Sequence, residues 1–195
     1  MANRNPNAVL AGTGWLYAAE PDGLTPEPAP ANAPADPAAD PAGEWVGVGY
    51  TDDGVRLEWD MTYEDIRVAE EASPLRTLWT EVVYRIALVA AQFETALLSL
   101  ALNGGVAEAV VGPPEEETFE PPNVGEDVPT SLLFRFRNEY GAGSDLYMAL
   151  AKNTASASVP FTRAPQKSTI ALEFTGQVPA EGPVWSLRQR IDATS

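Results

Sequence analysis

EWVGVGYTDDGVRLEWDM, residues 44–61, is the stretch on which the reading of the fold turns. Val55, Leu57, Trp59 and Met61 alternate with Arg56, Glu58 and Asp60, the period-2 signature of a strand with one apolar and one wet face. Upstream, Thr51-Asp52-Asp53-Gly54 joins this run to further apolar residues. Asp-Gly between such flanks predicts a tight hairpin turn, because glycine reaches positive φ without a Cβ clash.

Working outward, residues 8–18 (AVLAGTGWLYA) suit a first strand after a short N-terminal arm, residues 1–7. Residues 20–43 are mostly Pro, Ala, Asp and Glu, with almost nothing to bury against the entropy of ordering, and read as a surface loop. After the opening stretch, residues 61–69 continue as strand and close at the polar EEASP segment. Residues 75–91 read as another strand, with Tyr84, Ile86 and Leu88 on one side. From Gln92 the period changes: Phe93, Ala96, Leu97, Leu100 and Ala101 share one face of a helix of about three turns. Asn103-Gly104-Gly105 supplies its left-handed stop.

Residues 113–127 (PPEEETFEPPNVGED) carry six acids and four prolines and read as an acidic loop. Beyond them the two-residue period returns four times, around Leu132-Phe134-Phe136, Leu146-Met148-Leu150, Ile170-Leu172-Phe174 and Trp185-Leu187. Such runs, separated by turn residues, predict antiparallel sheets with one buried face. The expected fold is mainly β: a single domain over residues 1–195, an antiparallel β-sandwich or barrel with one packed α-helix.

Composition removes most chemistry. The chain of 195 residues has no Cys and no His, which excludes disulfides, histidine-based triads and nearly all zinc sites. Its formal charge is −16, and residues 1–129 hold 23 of the 28 carboxylates. So acidic a chain is not expected to grip nucleic acid, whose phosphates are held by Lys and Arg. Residues 1–12 lack the pattern of a secretory signal, and residues 82–102 are interrupted by Arg85, Gln92 and Glu94, against a membrane span. Synthesis in the cytoplasm is expected.

The remaining candidates are weak as chemistry. Glu58 and Asp60 point the same way from one strand, whereas a glycosidase needs carboxyls facing each other across a cleft. Asp52-Asp53 and Glu115-Glu116-Glu117 lack the ligand spacing of a calcium loop. Arg135 and Arg137 read as ordinary strand exterior. No catalytic, cofactor-binding or metal-ligating set emerges.

The order of elements does resemble a family. Gly14-Trp15-Leu16-Tyr17 matches a Gly-aromatic-Leu-Tyr first strand. Trp45, Gly49, Tyr50, Thr51, Gly54 and Val55 match the run Trp-x-x-x-Gly-Tyr-Thr-x-x-Gly-Val, and Gly104-Gly105 closes a strand and helix. This pattern is similar to the major tail tube proteins of long-tailed, siphovirus-like bacteriophages, over about residues 8–105 and more loosely beyond. The two Pro-rich loops depart from a minimal member.

The resemblance implies a structural virion protein and not an enzyme, without cofactors. Its subunits would form hexameric rings stacked head to tail into the tail tube, a helical assembly through which DNA is ejected into the host. The implied partners are further copies, the tape measure and the terminator, with DNA passing through the lumen without specific binding and no membrane involved. Alternatives are the tube of a contractile injection machine, or an Ig-like or carbohydrate-binding sandwich. Within the tube reading, Tyr50 and the hairpin at Asp52, Asp53 and Gly54, with Trp59 and Met61, are candidate assembly residues. Glu58 and Asp60 are candidates for the lumen or an inter-ring face.

Overall fold

The described residues of the computed structural model are 14–21, 41, 45–67, 73, 76–91, 94–110, 112, 116–137, 143–156, 158 and 169–189. The expected arm 1–7 and nearly all of the loop 20–43 lie outside them.

Strands dominate because apolar residues recur at two-residue spacing through most of this chain. The main sheet is antiparallel. Its order begins with β2 (Val46–Gly47), β1 (Gly14–Ala19), β7 (Thr130–Arg137) and β8 (Gly143–Asn153), and continues through β9 (Ile170–Gly176), β4 (Arg76–Ala90) and β3 (Thr51–Ile66). β10 (Trp185–Gln189) also pairs with β8. It takes Ser144 to Met148, while β9 takes Ala151 to Asn153. The sheet therefore splits along β8. β10-β8-β7-β1-β2 forms one layer and β9-β4-β3 the other, so the molecule is an open antiparallel β-sandwich.

The core lies between the layers. Leu16, Leu132, Phe136, Leu146 and Met148 from one sheet meet Ile86, Leu88, Ile170, Leu172 and Phe174 from the other. One helix, α1 (Thr95–Leu102), adds Leu97 and Ala101 to this cluster beside Ala90 and Ala151. It is shorter than its periodicity predicts, because Ala90 is still held in the β4 ladder opposite Ile170 and Glu94 keeps an extended backbone. The stop is as expected: Asn103 takes the left-handed conformation (φ 55°), and Gly104 N–H donates to Ser99 O at 2.8 Å. Among the described residues no helix is long and apolar enough to cross a membrane.

Three expectations are corrected. β7 and β8 are buried on both faces, as adjacent Leu132 and Leu133 show by both being fully buried. A second cluster of Tyr17, Trp45 and Leu133 covers the outer face, with Trp45 set edge-on to Tyr147. Arg135 is not exterior. It is 6% exposed and forms a two-pronged ion pair with buried Asp145, Nε–Oδ1 2.9 Å and Nη2–Oδ2 3.3 Å, because β7–β8 register places the two opposite each other. Finally, the acidic loop 113–127 contains a strand. β6 (Glu116–Glu120) pairs antiparallel with β5 (Val106–Val110), since Phe119 gives this run something to bury against Gly105.

Side-chain hydrogen bonds lock the helix to the sheets. Asn153 N–H donates to Asn103 Oδ1 (2.6 Å), and Asn103 Nδ2 donates back to Asn153 O (2.8 Å). Asn153 Nδ2 reaches Ala101 O (2.7 Å), and its Oδ1 accepts from Glu173 N–H (3.0 Å). Removing one side chain leaves several buried partners unsatisfied. Asn153→Ala is therefore expected to destabilise the fold by about 2–3 kcal/mol, read from the urea midpoint.

Candidate assembly surface

β3 and β4 pair along nearly their whole length, from Thr51↔Ala90 to Ile66↔Arg76. β9, by contrast, accompanies β4 only from Arg85 to Ala90. From Arg76 to Tyr84 the two strands continue as a ribbon with no third strand among the described residues, an arm roughly 30 Å long. Every residue of β3 from Glu58 to Ile66 is exposed.

Two irregularities shape this ribbon. Thr51 pairs with Ala90 and Val55 with Leu88, so Asp52, Asp53 and Gly54 together stand opposite Val89. The expected hairpin turn is thus a bulge inside a continuous strand. The local signal is real, since Gly54 has φ 78°. The pairing differs because β2 belongs to β1 and β3 to β4. Further out, Thr62 pairs with Glu81 and Tyr63 with Trp79, which leaves Thr80 as an extra residue whose Oγ1 donates to Thr62 O at 3.2 Å.

Register separates the two faces of the arm. One bears Val55/Leu88, Leu57/Ile86, Trp59/Tyr84, Met61/Val82 and Tyr63/Trp79. It is core at Ile86 and Leu88, then runs into solvent: Trp59 is 56% exposed, Tyr63 51% and Trp79 68%. The other bears Arg56, Glu58, Asp60 and Glu64 from β3, with Arg76, Glu81 and Arg85 from β4 and Glu173 from β9. Arg85 bridges Asp60 and Glu173 across three strands.

An apolar groove of about 840 Å³ opens between the layers where β3 faces β1 and β10. Its walls include Trp15, Tyr50, Leu57, Trp59, Phe134 and Leu187. Helix α1 fills the interior on the Ala90 side, whereas nothing comparable fills this end among the described residues. Trp15 and Tyr50 meet edge-on at 5.9 Å, and Tyr84 and Trp185 at 5.8 Å.

The structure brings some of the predicted assembly residues together. Tyr50 and Gly54 line the groove, and Trp59 stands where groove and arm meet. Met61 follows it on the apolar face; Asp52 is exposed in the bulge, and the side chain of Asp53 lies outside the described residues. Glu58 and Asp60 sit on the charged face. Sequence reading missed Tyr63 and Trp79. The alternation through Met61 does extend to Tyr63, but nothing local reveals that Trp79 lies across from it.

The exposed carboxylates of the arm tip and of the 121–130 segment are held acidic. Asp65 accepts from Thr77 Oγ1 (2.8 Å) and Arg67 (3.3 Å), which lower its pKa below the ordinary aspartate value, and the Lys152 ammonium does the same for Asp127. A carboxylate lowered on folding contributes stability above about pH 4, lost as pH falls through its folded value. Carboxyl NMR titration is expected to place both midpoints below about 3.9.

No metal-ligating group of three or more acidic side chains occurs among the described residues. Comparison with known families supplies what the geometry alone does not. The family model for phage tail tube protein matches residues 1–137. The chain belongs to that family. The comparison with curated proteins found no match.

Family membership makes this a structural component of the phage tail, within the virion. The motif residues now have places. Gly14 to Tyr17 open β1, where a Cβ at Gly14 would sit 2.5 Å from Phe134 Cζ. Trp45 is buried against the outer face of that sheet, Gly49 turns the chain with φ 86°, and Gly54 makes the bulge.

Proposed function

We propose that this tail tube subunit forms hexameric rings that stack head to tail around a continuous lumen, the conduit for DNA ejection into the host. The observation that carries the reading is the arm: a long two-stranded ribbon, apolar on one face and charged on the other, projecting beyond its own sheet. An isolated ribbon with exposed aromatics is poorly supported by itself and needs a neighbour. β2 and β3 end the strand order among the described residues, and pairing around a ring would close those edges.

The charged face is the one suited to the lumen. It carries Glu58, Asp60, Glu64, Glu81 and Glu173 against Arg56, Arg76 and Arg85. An acidic wall lets phosphates pass without holding them. In this reading the subunit is made in the host cytoplasm and its partners are further copies, the tape measure and the terminator at the tube ends.

Electron microscopy of concentrated protein, beside material from native particles, tests the reading. Stacked six-fold rings with an open channel are expected; discrete globular particles from both sources would overturn it. Trp59→Ala, at the junction of core and arm, is expected to fold and to give at least tenfold fewer tubes. Unchanged assembly in that variant would remove the arm root from the interface.

A further inference from the structure

The apolar stripe of the arm and the groove between the layers are both uncovered among the described residues, and they share Trp59. We propose that Met61, Tyr63 and Trp79 on the arm of one copy seat in the groove of a second copy, against Trp15, Tyr50 and Leu187. This rests on the tube reading and specifies which surfaces of the subunit meet.

Charge selects the occupant. Copies of a chain at −16 repel one another over most of their surface. Among the described residues the groove walls contain no charged residue, and the stripe from Val55 to Tyr63 contains none on its face. These are the places where two copies approach without desolvating carboxylates. Shape agrees, since a projecting ridge and a concavity on one molecule fit each other only between copies in a directional, heterologous way. Such a contact propagates into a filament instead of closing as a two-fold dimer.

Area sets the strength. Tyr63 and Trp79 together leave roughly 250 Å² of side chain exposed, so one contact buries ~500 Å² counting both partners. That falls short of the ≈1,000 Å² a stable free pair needs, and it suits a contact repeated many times in a filament. Dilute protein is accordingly expected to be monomeric.

The test uses complementary variants of the full chain. Tyr63→Arg/Trp79→Arg blocks the arm and leaves the groove intact; Leu187→Arg blocks the groove and leaves the arm. All three positions are exposed, and circular dichroism with thermal melting verifies the fold. Each variant alone is expected to give at least tenfold fewer tubes than wild type by electron microscopy. Their equimolar mixture is expected to give no more tubes than either variant alone, because every contact between them ends at a blocked surface and cannot propagate. Wild-type growth by the groove-blocked variant would overturn the docking while leaving the tube reading standing, and wild-type protein that never forms tubes would overturn both. Because the chain has no cysteine, single Tyr63→Cys and Leu187→Cys copies provide an independent readout. A bismaleimide linker should join the two only when both are mixed in assembled tubes, and tubes that yield no mixed product would refute the contact.

Discussion

Replacing residues 61–82 by Asn-Gly is expected to give a folded protein that stays monomeric at concentrations where the parent builds tubes. The cut falls where Asp60 faces Val83, so a two-residue turn there continues the existing register. The described residues that are removed contribute little to the subunit's own core. Met61, Tyr63, Ile66 and Trp79 are exposed, and β4 pairs with β9 only from Arg85 onward. Deleting the exposed aromatic surface should also raise solubility, since exposed apolar patches drive association. The measurement is sedimentation with electron microscopy, beside a thermal melt. Tubes from the shortened chain would show that rings form and stack without the arm, whereas loss of the melting transition would show that the arm is part of the fold.

The second large effect is expected inside the subunit. Asp145→Ala leaves Arg135 buried with its two-pronged partner gone. Removing one partner of a buried ion pair costs about 3–5 kcal/mol. In a chain of this size the melting temperature should fall by about 10 °C. The double variant Arg135→Met/Asp145→Leu separates explanations, because apolar replacement of both partners of a buried pair is often neutral. Recovery of at least half the loss is expected. A double variant as unstable as Asp145→Ala would mean that the carboxylate serves something besides this arginine.

Which of these features the sequence discloses follows from the range of the interaction involved. Alternation at Val55-Leu57-Trp59-Met61 and Ile170-Leu172-Phe174 reports strands, because each side chain's face depends only on its neighbours along the chain. Asn103 is equally local: a residue tolerant of left-handed backbone ends the helix where expected. Gly54 marks a half-way case. Its positive φ is a local property that the Asp-Gly pair announces, yet whether such a residue makes a turn or a bulge depends on which strand lies alongside. Arg135 fails for the same reason. A charge in a strand reads as exterior until a carboxylate is found opposite it, and the register that brings Asp145 there arises between separate strands.

By itself, then, the sequence determined the class of fold, the places of its main strands and helix stop, the lack of histidine and cysteine chemistry, and the motif residues that carry the family resemblance. All are set by composition or by contacts a few residues apart. Only the tertiary structure decided that β3 continues through its glycine, that it pairs with β4 to form the arm, that Tyr63 meets Trp79, and that Trp15, Tyr50, Trp59 and Leu187 line one groove between the layers. Each of these depends on which segments come together, and pairing is chosen by the burial of the whole core.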